Sequence, residues 1–309
     1  MTIHHTYIGC DIAKHVLDFF DPSTRRPVRI DNEAAALGGF VATLDPATCF
    51  VVFEATGSHD RLLRHILAEA GIAAARINPT MVRRFAQARG RLAKTDPLDA
   101  RTLSEMGAMF QPAPDKPPCA DRERLAAFAR RRDQIVEIRA RQWRHLGEAF
   151  DPALIADIEA FIAQLDDRIV TLEAEIARQI NSIDALARQA ERLVSAPGVG
   201  PVTALTLIAH MPELGHASPK AIAALAGLAP LNDDSGLRRA KRAIRGGRSR
   251  VRKALYMAAL GAIRAAPRFK AFYTAIAARS GSKKLAIIAV ARKLLTVLNA
   301  MQREQKQYA

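Results

Sequence analysis

Cysteine is scarce and scattered. Cys10, Cys49 and Cys119 are the three in 309 residues, and no two stand at C-x-x-C spacing, which argues against a thiolate zinc site or a disulfide framework and leaves reduced thiols as the expectation. Aromatic residues make up 6% of the chain, with Trp143 the single tryptophan. No uninterrupted apolar run reaches the length that crosses a bilayer, and neither a secretory leader nor an isolated basic amphipathic anchor is visible. A cytoplasmic protein without a membrane partner is therefore expected. Acids are outnumbered, 31 against 46 lysines and arginines, for a net charge of +15 and a pI near 10.3. Such an excess repels itself unless a polyanion shares the surface, so nucleic acid is the expected partner.

What the chain does contain is enough apolar residue, 49% of the total, to bury a full core over two or three domains. From Tyr7 an apolar strand leads to Asp11, a short break follows near Lys14, and a second strand through Phe20 pairs with it as a hairpin. A third strand around Pro27 to Ile30 and a helix from Asp31 to Leu44 come next. Cys49 to Phe53 is continuously apolar, as a buried central strand is, and it ends in Glu54. A helix to Ala70, a strand from Ile72 to Ile77 and a helix opened by Pro79 complete a mixed α/β sheet over residues 1–112. Such sheets place their sites at strand ends.

Lys94-Thr95-Asp96-Pro97-Leu98-Asp99-Ala100-Arg101 then puts two carboxylates one turn apart at a helix start. By itself this is also an ordinary capping pattern, aspartate before proline with a second acid three residues on. Together with Asp11 and Glu54, however, it offers four acids that would crowd negative charge into a strongly basic chain. Bound Mg²⁺ relieves such crowding, and two such ions about 4 Å apart form a clamp for phosphoryl transfer. Asp18, Asp60 and Glu105 are expected at the surface or behind this cluster.

Four prolines between Phe110 and Pro118 stop the preceding helix and mark a boundary. Residues 113–192 read as this linker and a helical hairpin. Its first helix, from about Asp121 to Phe150, carries Arg130, Arg131, Arg132, Arg139, Arg141 and Arg144, and its arginine excess suits phosphates. Its second helix repeats Leu154, Ile158, Ile162, Leu165, Ile169, Leu172, Ile176, Ile180 and Ile183 as a coiled-coil seam. That seam serves an intramolecular hairpin or a dimer equally well. Trp143 is expected to be a packing anchor.

Residues 193–309 read as a mainly helical domain. Ser195-Ala196-Pro197-Gly198-Val199-Gly200-Pro201 has the form of a helix-hairpin-helix turn, where Gly198 and Gly200 would expose backbone N–H groups to phosphate. Arg238, Arg239, Lys241, Arg242, Arg245, Arg248, Arg250, Arg252 and Lys253 form the densest basic tract, a nucleic-acid patch by charge. Ser235, in Asp234-Ser235-Gly236, is by its surroundings an ordinary loop serine.

Three blocks, Gly9-Cys10-Asp11-Ile12-Ala13-Lys14, Phe53-Glu54-Ala55-Thr56-Gly57 and Ala93-Lys94-Thr95-Asp96 with Asp99-Ala100, resemble the RNase H-like fold of Holliday-junction resolvases, and specifically the DEDD transposases of the insertion sequence 110 family. The C-terminal half is similar to the same family through Ala196 to Pro201, Leu225 to Pro230, Asp234-Ser235-Gly236, Gly246-Gly247-Arg248 and Val251 to Ala259. Pro97-Leu98 stands where the family is often more polar. The resemblance implies a RuvC-like DEDD domain with Mg²⁺ on Asp11, Glu54, Asp96 and Asp99, a C-terminal domain whose nucleophile is Ser235, donor and target DNA as substrates, an element-encoded noncoding RNA as guide, and a dimer or tetramer.

Two other functions stay open at this point. A junction-resolving nuclease would use the acids and metal-activated water alone, and a non-catalytic binder would keep only the salt-sensitive contacts.

Overall fold

The computed structural model describes residues 6–55, 57, 59–90, 96–231 and 243–308, with backbone alone at 96–98, 231 and 243. The chain divides into two compact units, Met1–Cys119 and Ala120–Ala309.

In the first unit the order is β1 (Thr6–Ile12), β2 (Val16–Phe20), β3 (Pro27–Asp31), α1 (Ala34–Val41), β4 (Cys49–Glu54), α2 (Arg61–Glu69), β5 (Ala73–Ile77), α3 (Pro79–Ala88) and α4 (Asp96–Phe110). One sheet runs β3-β2-β1-β4-β5. The first three strands are antiparallel neighbours, while β4 joins β1, and β5 joins β4, in parallel. This is the mixed sheet that an RNase H-like domain requires.

Helices cover both faces, which is why β4 is apolar at successive positions rather than alternate ones. Ile8, Cys10, Val51 and Phe53 point to the side of α1 and α2, against Leu37, Val41, Leu63 and Leu67. Tyr7, Phe50 and Val52 point to the side of α3 and α4, against Val82, Phe85, Leu103 and Met106. Asn78 and Pro79 start α3 as an N-cap and first-turn proline, the Asn78 side chain accepting from the Thr80 N–H at 2.8 Å. At the outer edge of β5, the Asp115 N–H donates to the Ala74 carbonyl at 2.8 Å and the Asp115 carboxylate accepts from the Arg76 N–H at 3.0 Å. The proline-rich segment thus covers an edge that would otherwise offer unpaired backbone.

The second unit contains α5 (Ala120–Glu148), α6 (Pro152–Asn181), α7 (Asp184–Val194), α8 (Pro201–His210), α9 (Pro219–Leu225), the short strands β6 (Pro230–Leu231) and β7 (Ala243–Ile244), then α10 (Ser249–Ala265), α11 (Pro267–Ser280) and α12 (Lys283–Glu304). α5 and α6 form an antiparallel hairpin. Asp151 caps α6, Arg132 pairs with Glu173 at 2.7 Å, Arg139 pairs with Asp166, and Ile135 packs with Leu165 and Ile169. Leu154, expected in the seam, is 55% exposed near the hairpin tip, and Trp143, expected as an anchor, is 56% exposed. α6 turns Leu165 and Ile169 toward Ile135 of α5, while Leu154 on α6 and the Trp143 indole on α5 lie on surface outside that contact. By length and composition α12 would be long and apolar enough to cross a membrane. Here Val290, Leu294, Leu295 and Leu298 lie fully buried within the helical core of the unit.

Candidate active site

The register of the sheet lines up charge. Asp11 on β1 is paired with Asp18 on β2, and Asp18 is paired with Arg29 on β3. Cys10 pairs with Phe53, so the next position along brings Glu54 of β4 beside Asp11. Residues at matched positions of neighbouring strands project to the same face. Arg29, Asp18, Asp11 and Glu54 therefore form a row across four strands at one level of the sheet. Asp18 is nearly sealed from solvent and accepts two hydrogen bonds from the Arg29 guanidinium, Nε at 2.9 Å and Nη2 at 2.8 Å. This fork compensates Asp18, as a buried carboxylate requires.

The row faces α4. The helix crosses the sheet so closely at Gly9 that a Cβ there would lie 1.8 Å from the Ala100 carbonyl oxygen and 2.6 Å from the Ser104 amide nitrogen. Farther along, Gly107 lies against Tyr7 and Val52, and the Ser104 hydroxyl donates to the Tyr7 carbonyl at 2.6 Å. The helix therefore runs opposite to β1, with its N-terminal turn toward the strand end that carries Asp11. That turn begins at Asp96 and contains Asp99, which is half-buried. Of the expected acids, Asp11 and Glu54 are neighbours in the sheet and Asp99 belongs to the helix over them, while the Asp96 side chain lies outside the described residues. A helix N-terminus favours nearby negative charge. On the opposite face the Cys10 thiol is pushed well above its usual range, first by burial and then by the charges of Asp11 and Asp18. It stays protonated and inert.

Among the described residues no three His, Cys, Asp or Glu side chains gather as a metal-binding group. The donor set of Asp11, Glu54, Asp96 and Asp99 is nonetheless all carboxylate oxygen, the chemistry that suits a hard divalent cation. Asp60 and Glu105 have other work. Asp60 is buried and accepts from Arg76 at 3.1 Å, and Glu105 pairs with Arg89 and Arg101, each at 3.2 Å. The residue that sequence reasoning undervalued is Asp18. An acid inside the apolar strand Val-Leu-Asp-Phe-Phe was the available signal, and Arg29 at the matched position of β3 was its counterpart.

In the second unit, pairing of Pro230 with Ile244 and Leu231 with Ala243 closes the base of the segment 232–242. Ser235, Arg238, Arg239, Lys241 and Arg242 belong to that segment and lie outside the described residues. Its base rests on glycines. Gly227 and Gly247 both adopt positive φ, 68° and 66°, and a Cβ on Gly247 would lie 2.2 Å from the Gly227 nitrogen. Arg252 donates to the Gly246 carbonyl at 2.7 Å. Arg248 holds Glu213 through two hydrogen bonds of 2.6 and 2.7 Å and reaches the His210 carbonyl at 2.9 Å. Arg250 pairs with Asp133 at 3.1 Å and meets His210 Nε2 at 3.2 Å.

His210 is held down to about 4 by burial first, then by Arg250 and Arg130. Its neutral ring accepts from Arg250 through Nε2. Arg245 and Lys253 are exposed, as is Arg131, which donates to Gln134 at 3.3 Å, whereas Arg139 is engaged with Asp166. Gly200 is exposed at the start of α8. Gly198, at φ +78°, is pressed against α10, where a Cβ would lie 2.3 Å from the Ala258 oxygen. Its lack of a side chain is explained by that approach.

Comparison with known proteins adds an independent line. A family model described as "Transposase IS116/IS110/IS902 family" matches residues 190–274, and a transposase model of the DEDD, IS110 type matches residues 8–154. The pilin gene-inverting protein of Moraxella bovis is 28% identical over 318 residues, covering 98% of this chain and 97% of its own. That of Moraxella lacunata is 29% identical over 321 residues with the same coverage. A 42 kDa protein of insertion element IS900 from Mycobacterium paratuberculosis is 29% identical over 212 residues, 63% of this chain and 51% of its own.

Proposed function

The chain belongs to the IS110 family of transposases and is a DNA transposase/recombinase, and from that premise we propose that it cuts and rejoins DNA at specific sites through a serine nucleophile aided by a magnesium-binding acidic set. The observation that supports this most is the strand register that sets Asp11 beside Glu54 under the N-terminal turn of α4. In this reading Asp11, Glu54, Asp96 and Asp99 hold two Mg²⁺ ions. When bound, the metal polarises phosphoryl oxygens and stabilises a leaving sugar oxygen.

The Ser235 hydroxyl attacks a scissile phosphodiester: the Oγ–P bond forms, the P–O bond to one sugar breaks, and the serine proton passes by way of solvent to the departing hydroxyl. The phosphoserine ester keeps the bond energy, so a hydroxyl from a second duplex can displace the serine and seal the new strand. Exposed Arg131, Arg245 and Lys253, with the basic residues of 232–242, hold the backbone, and α7 and α8 with Gly200 between them supply a helix-hairpin-helix contact to phosphate.

The same reading assigns the α5–α6 hairpin a coiled-coil role in a dimer or tetramer, gives the protein an element-encoded noncoding RNA as guide, and places it in the cytoplasm. The names of the Moraxella relatives, pilin gene-inverting proteins, point to gene inversion as one outcome of the same chemistry. The test is a denaturing gel for a covalent protein–DNA adduct, with protein co-expressed with the flanking transcript of its element, Mg²⁺ and element-junction DNA. An adduct in the parent that is absent from Ser235→Ala and Asp11→Ala supports the reading. Cleavage without adduct that survives Ser235→Ala contradicts it.

A further inference from the structure

Asn32 follows β3 and precedes α1, and nothing in its local sequence marks it beyond turn chemistry. Its carboxamide donates two hydrogen bonds, to the Ala13 carbonyl and to the His59 carbonyl, both at 3.2 Å. Its backbone N–H donates to the His15 carbonyl at 2.8 Å. Ala13 and His15 belong to the turn that leaves Asp11, and His59 belongs to the loop that leaves Glu54. The orientation of the amide is unambiguous, because both partners are carbonyls that can only accept. Among the described residues the other end of the amide, Oδ1, is buried with no hydrogen-bond partner. A buried acceptor left without a donor is costly and uncommon in folded proteins, so this arrangement sacrifices one polar atom to tie two loops together.

The β4–α2 loop is held on its far side by the Ala55 N–H donating to the Ile77 carbonyl at 3.0 Å and by Arg76 on Asp60 at 3.1 Å. Asn32 supplies the tie on the near side, toward β1. We propose that Asn32 is a positioning residue for the acidic site: it fixes the strand ends carrying Asp11 and Glu54 relative to each other, so that the two carboxylates are ready to share a divalent cation. This rests on the reading of the acids as a metal site. Groups behind a metal site that hold its ligands in place are worth about 10- to 100-fold in metal affinity when removed.

The experiment measures Mn²⁺ binding to the full chain by isothermal titration calorimetry, with thermal melting and hydrogen exchange in parallel, for the parent, Asp11→Ala, Asn32→Ala and Asn32→Ser. The serine variant keeps a small polar group too short to reach both carbonyls and serves if the alanine variant does not fold. The expected result is Mn²⁺ binding that Asp11→Ala abolishes and that the Asn32 variants weaken about tenfold, with an unchanged melting temperature and faster exchange at residues 13–15 and 59–60. Parent-like Mn²⁺ affinity in the Asn32 variants would overturn the positioning role while leaving the metal site intact. Weakening that merely follows a lowered melting temperature in both variants would also overturn it. Parent and Asp11→Ala binding Mn²⁺ alike would overturn the metal reading and the staple with it.

Discussion

Asp11 and Glu54 in the first unit stand on adjacent strands at one level of a sheet, and their position follows from register. Arg248, Arg250 and Arg252 in the second unit stand in a run of basic residues, yet each is turned back onto the fold, to Glu213, to Asp133 and His210, and to the Gly246 carbonyl. The contrast shows what the two kinds of charge reveal. A carboxylate at the end of a central strand has few destinations, because backbone pairing carries it to a shared edge. An arginine has a long stem and five donors, so density along the chain does not say which guanidiniums meet phosphate and which bind their own protein. Part of the basic tract is thus scaffold.

The sharpest way to break this comparison is to remove one charge from each region. Asp11→Asn should lower strand cleavage ~10³-fold or more with little loss of fold, measured by single-turnover cleavage and circular dichroism. Arg248→Ala should act oppositely, leaving chemistry per folded molecule nearly intact while costing ~1–2 kcal/mol of stability in denaturant melts, a figure reduced for partial exposure. Next in size is Gly9→Ala. Its methyl would meet the Ala100 oxygen, and overpacking there should cost about 3 kcal/mol and lower the melting of the first unit by ~10 °C. Activity should fall with it, because the same contact sets α4 over the acids.

Smaller effects sharpen the division within the basic tract. Lys253→Ala should leave stability unchanged and reduce the slope of log binding constant against log salt by about 1. The smallest effect is in pH dependence. The folded-state value for His210, about 4, lies below its ordinary 6.5, so the unfolded chain binds the proton more readily between these values. Stability of the second unit should therefore rise as pH increases from 4 to 6.5, and His210→Gln should flatten that rise in denaturant melts.

The strand and helix order of the first unit was legible because β4 is apolar on both faces and ends in an acid, and because Asn78-Pro79 announces a helix. What periodicity does not encode is which strands become neighbours. The partnership of Asp18 with Arg29 depends on the register of β2 against β3, the tie made by Asn32 depends on segments 19 and 27 residues away, and the four acids were brought together by their places at two strand ends and a helix start, with the motif resemblance added to that. In the helical unit the seam of α6 was legible at Ile162, Leu165 and Ile169, whereas Leu154 and Trp143 lie on surface the hairpin does not cover. Gly198 illustrates the same difficulty. The glycines of its turn suggested phosphate, but the reason for this one is a backbone of α10 that no local pattern announces.

The central claim is that the end of the sheet where β1 and β4 stop is a divalent-metal site formed with α4. Crystals grown with Mn²⁺ and measured at a wavelength that reports its anomalous scattering test this most directly. The account predicts anomalous peaks bounded by the carboxylates of Asp11, Glu54, Asp96 and Asp99 that disappear in Asp11→Asn. Well-occupied peaks elsewhere in the chain, with none at this strand end, would contradict it.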